Sequence, residues 1–426
     1  MYLDSIVFVF CSYYIRVMLR VSSKTFLRTG FLRTDPSTGS PYSFIDPEGP
    51  LFATANEFRY TDDPTMRAPI LERSNVAMGL LLTNSSETSF PFINSLYRRL
   101  RDLEVNTLKR FTVLTMSDKQ SPVSGLGKRE LLLLNQCMQD EKISETAEQY
   151  FHNLLTNQAD LSFLVADYFK PLITLLNGSN SAIPLLANYS SAFKNSKISI
   201  NLMQQGFVPT GGLSFALAKT PWNIGEWMLL TNQTVGGANL VFSQLAKRWI
   251  SPEAVPHLEV TSEHKLEMSE RDGTHLLSEH FLSPPIEEFS LKPFIPMIND
   301  VFGAINIGDI FRNLEKVSQG SDPKLAAFAN ECIAQMKSNC PLAMSLGLAL
   351  IKRTRGKIVS TSEEIEKTFG YDTFISIQSR PRFAHSEIYK PVLLQTLGEE
   401  IHVAKQLVKR KSFGIRLHAH IRGVDC

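Results

Sequence analysis

Between Val76 and Leu202 the sequence alternates short apolar runs with segments of helical spacing, and that alternation leaves few folds open to it. Val76–Leu82 and Phe111–Met116 have the length and composition of buried strands. Pro171–Leu176, closed by Asn177-Gly178, reads as a third strand, and Ile198, Ile200 and Leu202 alternate as a fourth. Pro91 opens a helix in which Phe92, Ile93, Leu96, Tyr97, Leu100 and Leu103 recur at helical spacing. Lys128–Met138 and Ile143–Leu155 have the same character. Strands separated by helices build an α/β domain. After Gly206 the pattern is mostly helical, with short helices expected at Gly212–Leu217, Ile224–Leu230 and Gly237–Ile250. Residues 256–293 are polar and Pro-rich and read as a surface connection. Asp322-Pro323 caps a further helix with Leu325, Phe328, Ala329, Cys332, Ile333 and Met336 on its buried face. Pro341–Ile351 and Glu387–Lys411 are the last helical stretches.

Composition narrows the function classes. A chain of 426 residues that is 43% hydrophobic and 20% charged can bury a substantial core. Its 44 Lys and Arg nearly balance 42 Asp and Glu, which argues against a surface that grips nucleic acid all over and leaves local basic segments open. Five scattered cysteines without a CxxC pair support neither a disulfide framework nor a zinc knuckle, and fit a reducing compartment. No triad of metal ligands is spaced as such, and no Gly-Lys-Ser/Thr phosphate loop occurs, so neither a metal nor a cofactor is expected.

No apolar run reaches the ~20 residues of a membrane span. Arg16, Arg20, Lys24 and Arg28 recur every fourth residue on one side of a helix, among hydroxyls and apolar residues, and no acid occurs from Ser5 to Thr34. This is the composition of a mitochondrial import helix, over residues 1–33, opening at Met1 or at Met18. An ordinary basic helix packed on the domain is the alternative. The matrix is the expected destination. Residues 34–72 hold six prolines and little periodicity and read as an extended arm.

The string Gly206-Phe-Val-Pro-Thr-Gly-Gly-Leu-Ser-Phe-Ala-Leu-Ala-Lys-Thr-Pro221 resembles the crotonase (enoyl-CoA hydratase/isomerase) superfamily, and within it the 3-hydroxyisobutyryl-CoA hydrolase branch. Lys170-Pro171 through Asn177-Gly178, Leu229-Leu230-Thr231 with Gly236 to Leu240, and Ile298–Leu314 with Cys340-Pro341 extend the likeness collinearly over roughly residues 75–357. The resemblance implies a spiral of ββα units, here residues 73–255, with a C-terminal helical region. That region covers 294–357 and continues into a helical, basic extension over 358–426. It also implies two peptide N–H groups that stabilise the acyl-CoA thioester oxygen, and a carboxylate that attacks the thioester or activates water.

Each of those chemical positions is altered. The first N–H donor aligns with Gly127, followed by Lys128 where the family has an acid. The second aligns with Ala182-Ile183-Pro184, and a proline has no N–H to donate. Leu202 stands at the catalytic glutamate and Thr210 at the following aspartate; a slip in register would put Gln204 near the glutamate site. Loss of chemistry with retention of packing points to a pseudoenzyme, so no catalytic residue is expected.

Two basic stretches remain. Lys352, Arg353, Arg355 and Lys357 form one; Lys405, Lys409, Arg410, Lys411, Arg416 and Arg422 form the other. They read either as solvated helix faces or as contacts to phosphates of RNA. Ribosomes in several lineages carry, on the mitochondrial small subunit, a protein that resembles this hydrolase. The resemblance therefore implies partners among mitochondrial ribosomal proteins and small-subunit rRNA. An active thioesterase of valine breakdown, which would bind acyl-CoA, and a silent partner in a crotonase oligomer are the alternatives.

Overall fold

Apolar runs flanked by turn residues become strands where both faces can be buried. The computed structural model describes residues 70–74, 78–83, 90–116, 144–251, 253–263, 277–369 and 389–409, all within one compact unit, Asp62–Cys426. The import helix, all but the end of the Pro-rich arm, the segment with Gly127 and Lys128, and the tail with Arg410, Lys411, Arg416 and Arg422 lie outside the described residues.

β1 (Ile70–Ser74) begins within the last residues of the expected arm and pairs antiparallel with β2 (Met78–Thr83). Next come α1 (Phe90–Val105), β3 (Phe111–Met116), α2 (Ser144–Ala166) and β4 (Leu172–Leu175). The short elements β5 (Gly178–Ser179), α3 (Ile183–Leu186), β6 (Tyr189–Ala192) and β7 (Lys197–Ser199) follow. Then come α4 (Leu213–Ala218), α5 (Ile224–Thr231), β8 (Thr234–Gly236), α6 (Ala238–Phe242) and β9 (Arg248–Ile250). The strands β2, β3, β4, β6 and β9 are neighbours in that order and parallel, with β1 and β10 (Phe281–Leu282) antiparallel at the two edges. β5, β7 and β8 form a second, smaller sheet.

The register puts Leu80 beside Val113, Val113 beside Ile173 and Ile173 beside Tyr189, so one face of the large sheet is a continuous apolar layer. Leu258 of α7 (Ala254–Glu263) and Leu277 cover it, and Phe281 stacks on Tyr189 at 5.7 Å. Within 256–293, Leu258, Leu277 and Phe281 pack on this layer, while most of the other described residues of the segment are exposed or half-buried. The other face receives α1. Gly79 lets it come close, since a Cβ there would stand 2.8 Å from Leu103.

Two expectations are corrected. The strand expected through Ile200 and Leu202 stops at Ser199, because Gly206, at φ +73°, turns the chain and closes Phe207 N–H on the Leu202 carbonyl at 2.9 Å. The helix expected over Gly237–Ile250 ends at Phe242. Gln244 adopts φ +58°, and Arg248–Ile250 enters the large sheet.

The C-terminal half is α8 (Ile295–Phe302), α9 (Ile307–Ser318), α10 (Pro323–Lys337), α11 (Pro341–Phe369) and α12 (Lys390–Val408). The Asp322 carboxylate accepts from Lys324 N–H and Leu325 N–H, as its place before Pro323 leads one to expect. Phe328 of α10 stacks on both Trp227 of α5 and Phe294, which seats this half against the first. Among the described residues no helix is long and apolar enough to cross a membrane.

Candidate functional site

The small sheet and the turns beside it hold the positions where family chemistry is expected. Asn180, at φ +57°, donates its backbone N–H to Ser199 and exchanges side-chain hydrogen bonds with Asn201, whose own N–H reaches Asn180 Oδ1 at 2.8 Å. Ala182 is buried, and its carbonyl is occupied by the N–H groups of Leu185 and Leu186. Ile183 N–H turns to the Ser181 hydroxyl at 3.3 Å, and Pro184 offers only a carbonyl, which accepts from Thr174 Oγ1 at 2.6 Å. The Ile183 N–H is therefore engaged locally, and Pro184 has none to donate.

Leu202 is buried, as are Ile200, Met203 and Phe207. An aliphatic side chain here can neither attack a carbonyl nor take a proton from water. Gln204 points instead to the Ser338 hydroxyl at 3.4 Å, and Thr210 is buried with its carbonyl accepting Leu213 N–H. Gly211 and Gly212 keep φ values of +63° and +85°, and a Cβ on Gly211 would lie 2.9 Å from Gln158. Gly211 and Gly212 keep a tight turn here, and the side chains at Leu202 and Thr210 are an alkyl group and a buried hydroxyl.

One carboxylate does reach this turn, and from a distant element. Glu400 of α12 is fully buried and accepts Gly212 N–H at 2.7 Å and Ser214 N–H at 2.8 Å, at the start of α4. Burial pushes its pKa up to about 7, against the pull of those two N–H groups. Both oxygens are occupied by backbone, so Glu400 ties α12 to α4 rather than facing an open cleft. Sequence reading missed it, and its one signal is an acid inside a helix whose neighbours Thr396, Leu397, Ala404 and Leu407 are buried.

The described basic residues are mostly engaged within the chain. Arg355 grips buried Glu226 through two nitrogens, at 2.9 and 2.6 Å, and also donates to the Thr220 carbonyl. Lys352 caps the end of α8 through the Phe302 and Gly303 carbonyls, and Lys357 meets Glu399 at 2.7 Å. Arg353 is 69% exposed, with Glu399 no nearer than 3.9 Å. Lys405 and Lys409 converge on Glu148 of α2, whose pKa Lys409 holds below the usual carboxylate range. No group of three or more His, Cys, Asp or Glu side chains is placed to hold a metal among the described residues.

The family model described as enoyl-CoA hydratase/isomerase matches residues 91–380. Small ribosomal subunit protein mS47 of Schizosaccharomyces pombe is 23% identical over 290 residues, 67% of this chain and 64% of that protein. The chain thus spans slightly less than two thirds of that relative. 3-Hydroxyisobutyryl-CoA hydrolase 1 of Arabidopsis thaliana is 21% identical over 48% of this chain and 54% of its own. A carnitinyl-CoA dehydratase from Mycobacterium thermoresistibile shares the fold, with a TM-score of 0.62 at 16% identity over 83% of this chain and 90% of that one.

Proposed function

We propose that this protein, which belongs to the enoyl-CoA hydratase/isomerase family, is a structural component of the small subunit of the mitochondrial ribosome, acting in the matrix as a catalytically degenerate member of that family. One observation supports the reading: Leu202, which the resemblance aligns with the family's catalytic glutamate, is buried, and Gly206, Gly211 and Gly212 beside it keep positive φ. A fold retained without its chemistry serves through its shape and what it touches. The ribosomal relative matches more of this chain than the hydrolase does, which supports the same assignment. Its partners would be mitochondrial ribosomal proteins and small-subunit rRNA, with no acyl-CoA bound for catalysis.

The test is hydrolysis of 3-hydroxyisobutyryl-CoA and hydration of an enoyl-CoA by the purified full chain. Both rates should stay at the uncatalysed level. Turnover within tenfold of an authentic hydrolase, abolished by Leu202→Ala or Thr210→Ala, would establish a thioesterase instead.

A further inference from the structure

Away from the candidate site, one pair of metal-ligating side chains is already brought together. His257 lies on α7 and His280 directly before β10, 23 residues apart. Nδ1 of His257 and Nε2 of His280 stand 3.3 Å from each other. The rings meet edge to face, with centroids 5.0 Å apart and planes at 66°. A hydrogen bond between two ring nitrogens needs one of them to accept, so at least one imidazole is neutral with its lone pair directed into the gap. His257 is exposed and His280 half-buried, so an ion reaches the pair from solvent.

Both rings hang from backbone that is held in place by other contacts. His257 N–H donates to the Glu253 carbonyl and His280 N–H to the Leu277 carbonyl, each at 3.1 Å. Leu258, next to His257, and Phe281, next to His280, pack on the apolar layer of the large sheet. Phe281 is also paired with Ile250 of β9. The two nitrogens are thus kept near each other by packing that does not depend on the rings.

Their separation decides what they can do. Two nitrogens bound to one tetrahedral zinc ion at about 2.0–2.1 Å lie about 3.3 Å apart. A modest rotation of each ring therefore converges both lone pairs on one ion, with no movement of the backbone. The pair offers uncharged nitrogen and no oxygen, which suits zinc, copper or nickel and not magnesium or calcium.

We propose that His257 and His280 form a zinc-binding clip: the two facing nitrogens ligate one ion, water completes its coordination, and the ion ties α7 to β10 at the edge of the large sheet. The proton that bridges the pair moves to the other nitrogen of its own ring, which frees both facing lone pairs. The clip is independent of the ribosomal reading and stands or falls without it.

The full chain, first stripped with a chelator, is titrated with Zn2+ by calorimetry, and its urea midpoint is measured with and without the ion. Zinc should bind the wild type and raise the midpoint, because it binds the folded arrangement. His257→Ala and His280→Ala should each abolish that rise and weaken binding by at least about tenfold. The double variant should bind no worse than either single one, since a clip with one ligand is already open. Mg2+ should raise no midpoint, and His418→Ala with His420→Ala, in the tail, should leave the zinc effect intact. Should an alanine variant not fold, one equivalent of Cu2+ on the wild type gives the answer, as its EPR spectrum should show coupling to two ring nitrogens. No zinc-dependent rise in the wild type, a rise that both alanine variants keep, or a copper spectrum with fewer than two nitrogens would overturn the proposal.

Discussion

At the scale of single residues, Glu400 couples protonation to stability. Its folded pKa of about 7 lies above the ordinary 4.5, so between those values the folded state holds the proton more tightly than the unfolded one. Stability should therefore fall as pH rises from about 4.5 to about 7 and level off above. Gln at this position resembles the protonated acid and should remove that part of the slope, roughly 1–3 kcal/mol. Urea unfolding of both chains at pH 5 and pH 8 measures it, and subtracting one from the other cancels Asp160, which burial also raises to about 7. An equal fall in the two chains would mean that Glu400 is already ionised at pH 5. The residue was invisible in the sequence because its partners are 188 and 186 positions away. The lack of a base at Leu202 and of an N–H at Pro184, by contrast, needs no coordinates to read. Gly206, Gly211 and Gly212 made the alignment possible, and each has the positive φ that resists replacement.

At the scale of elements, α11 meets α5 at buried Glu226, which Arg355 grips with two nitrogens and Lys352 approaches at 3.7 Å. Arg355→Ala leaves Glu226 with only Lys352 at 3.7 Å and should cost about 3 kcal/mol in urea unfolding. Replacing both Arg355 and Glu226 by Leu should recover most of that, whereas Arg353→Ala should cost less than about 0.5 kcal/mol. If the single and double variants were equally unstable, packing around the pair would matter more than its charge. The elements legible in the sequence were those with strong period or composition: Phe111–Met116 emerged with its bounds unchanged, and Pro91 and Asp322 marked the starts of α1 and α10. β6 was not legible, because Tyr-Ser-Ser-Ala lacks a strand's composition. Its buried serines are tolerated since Ser191 Oγ bonds to the Tyr189 carbonyl and Ser190 accepts Lys247 N–H. β9 and β10 are too short for any periodicity, and neighbours distant in sequence decide them.

For the whole molecule, the fold is that of a family of acyl-CoA enzymes, and the helices that close it are bound by ion pairs between remote segments: Arg355 to Glu226, Lys357 to Glu399, Lys409 to Glu148. Lys352, Arg355, Lys357, Lys405 and Lys409, which look available for RNA in the sequence, are thereby drawn into the structure, which a reading of charge runs has no means to foresee. Among the described residues, Arg353 and Arg312 keep largely exposed guanidinium groups. On the proposed ribosomal role, the chain should be found where its surfaces are occupied. Sedimentation of a gentle, low-salt mitochondrial lysate through a gradient, with the full chain followed by antibody, tests this most directly. The chain should peak with the small ribosomal subunit and leave it as salt is raised; a chain found only near the top, free or as a small oligomer, would contradict the ribosomal assignment.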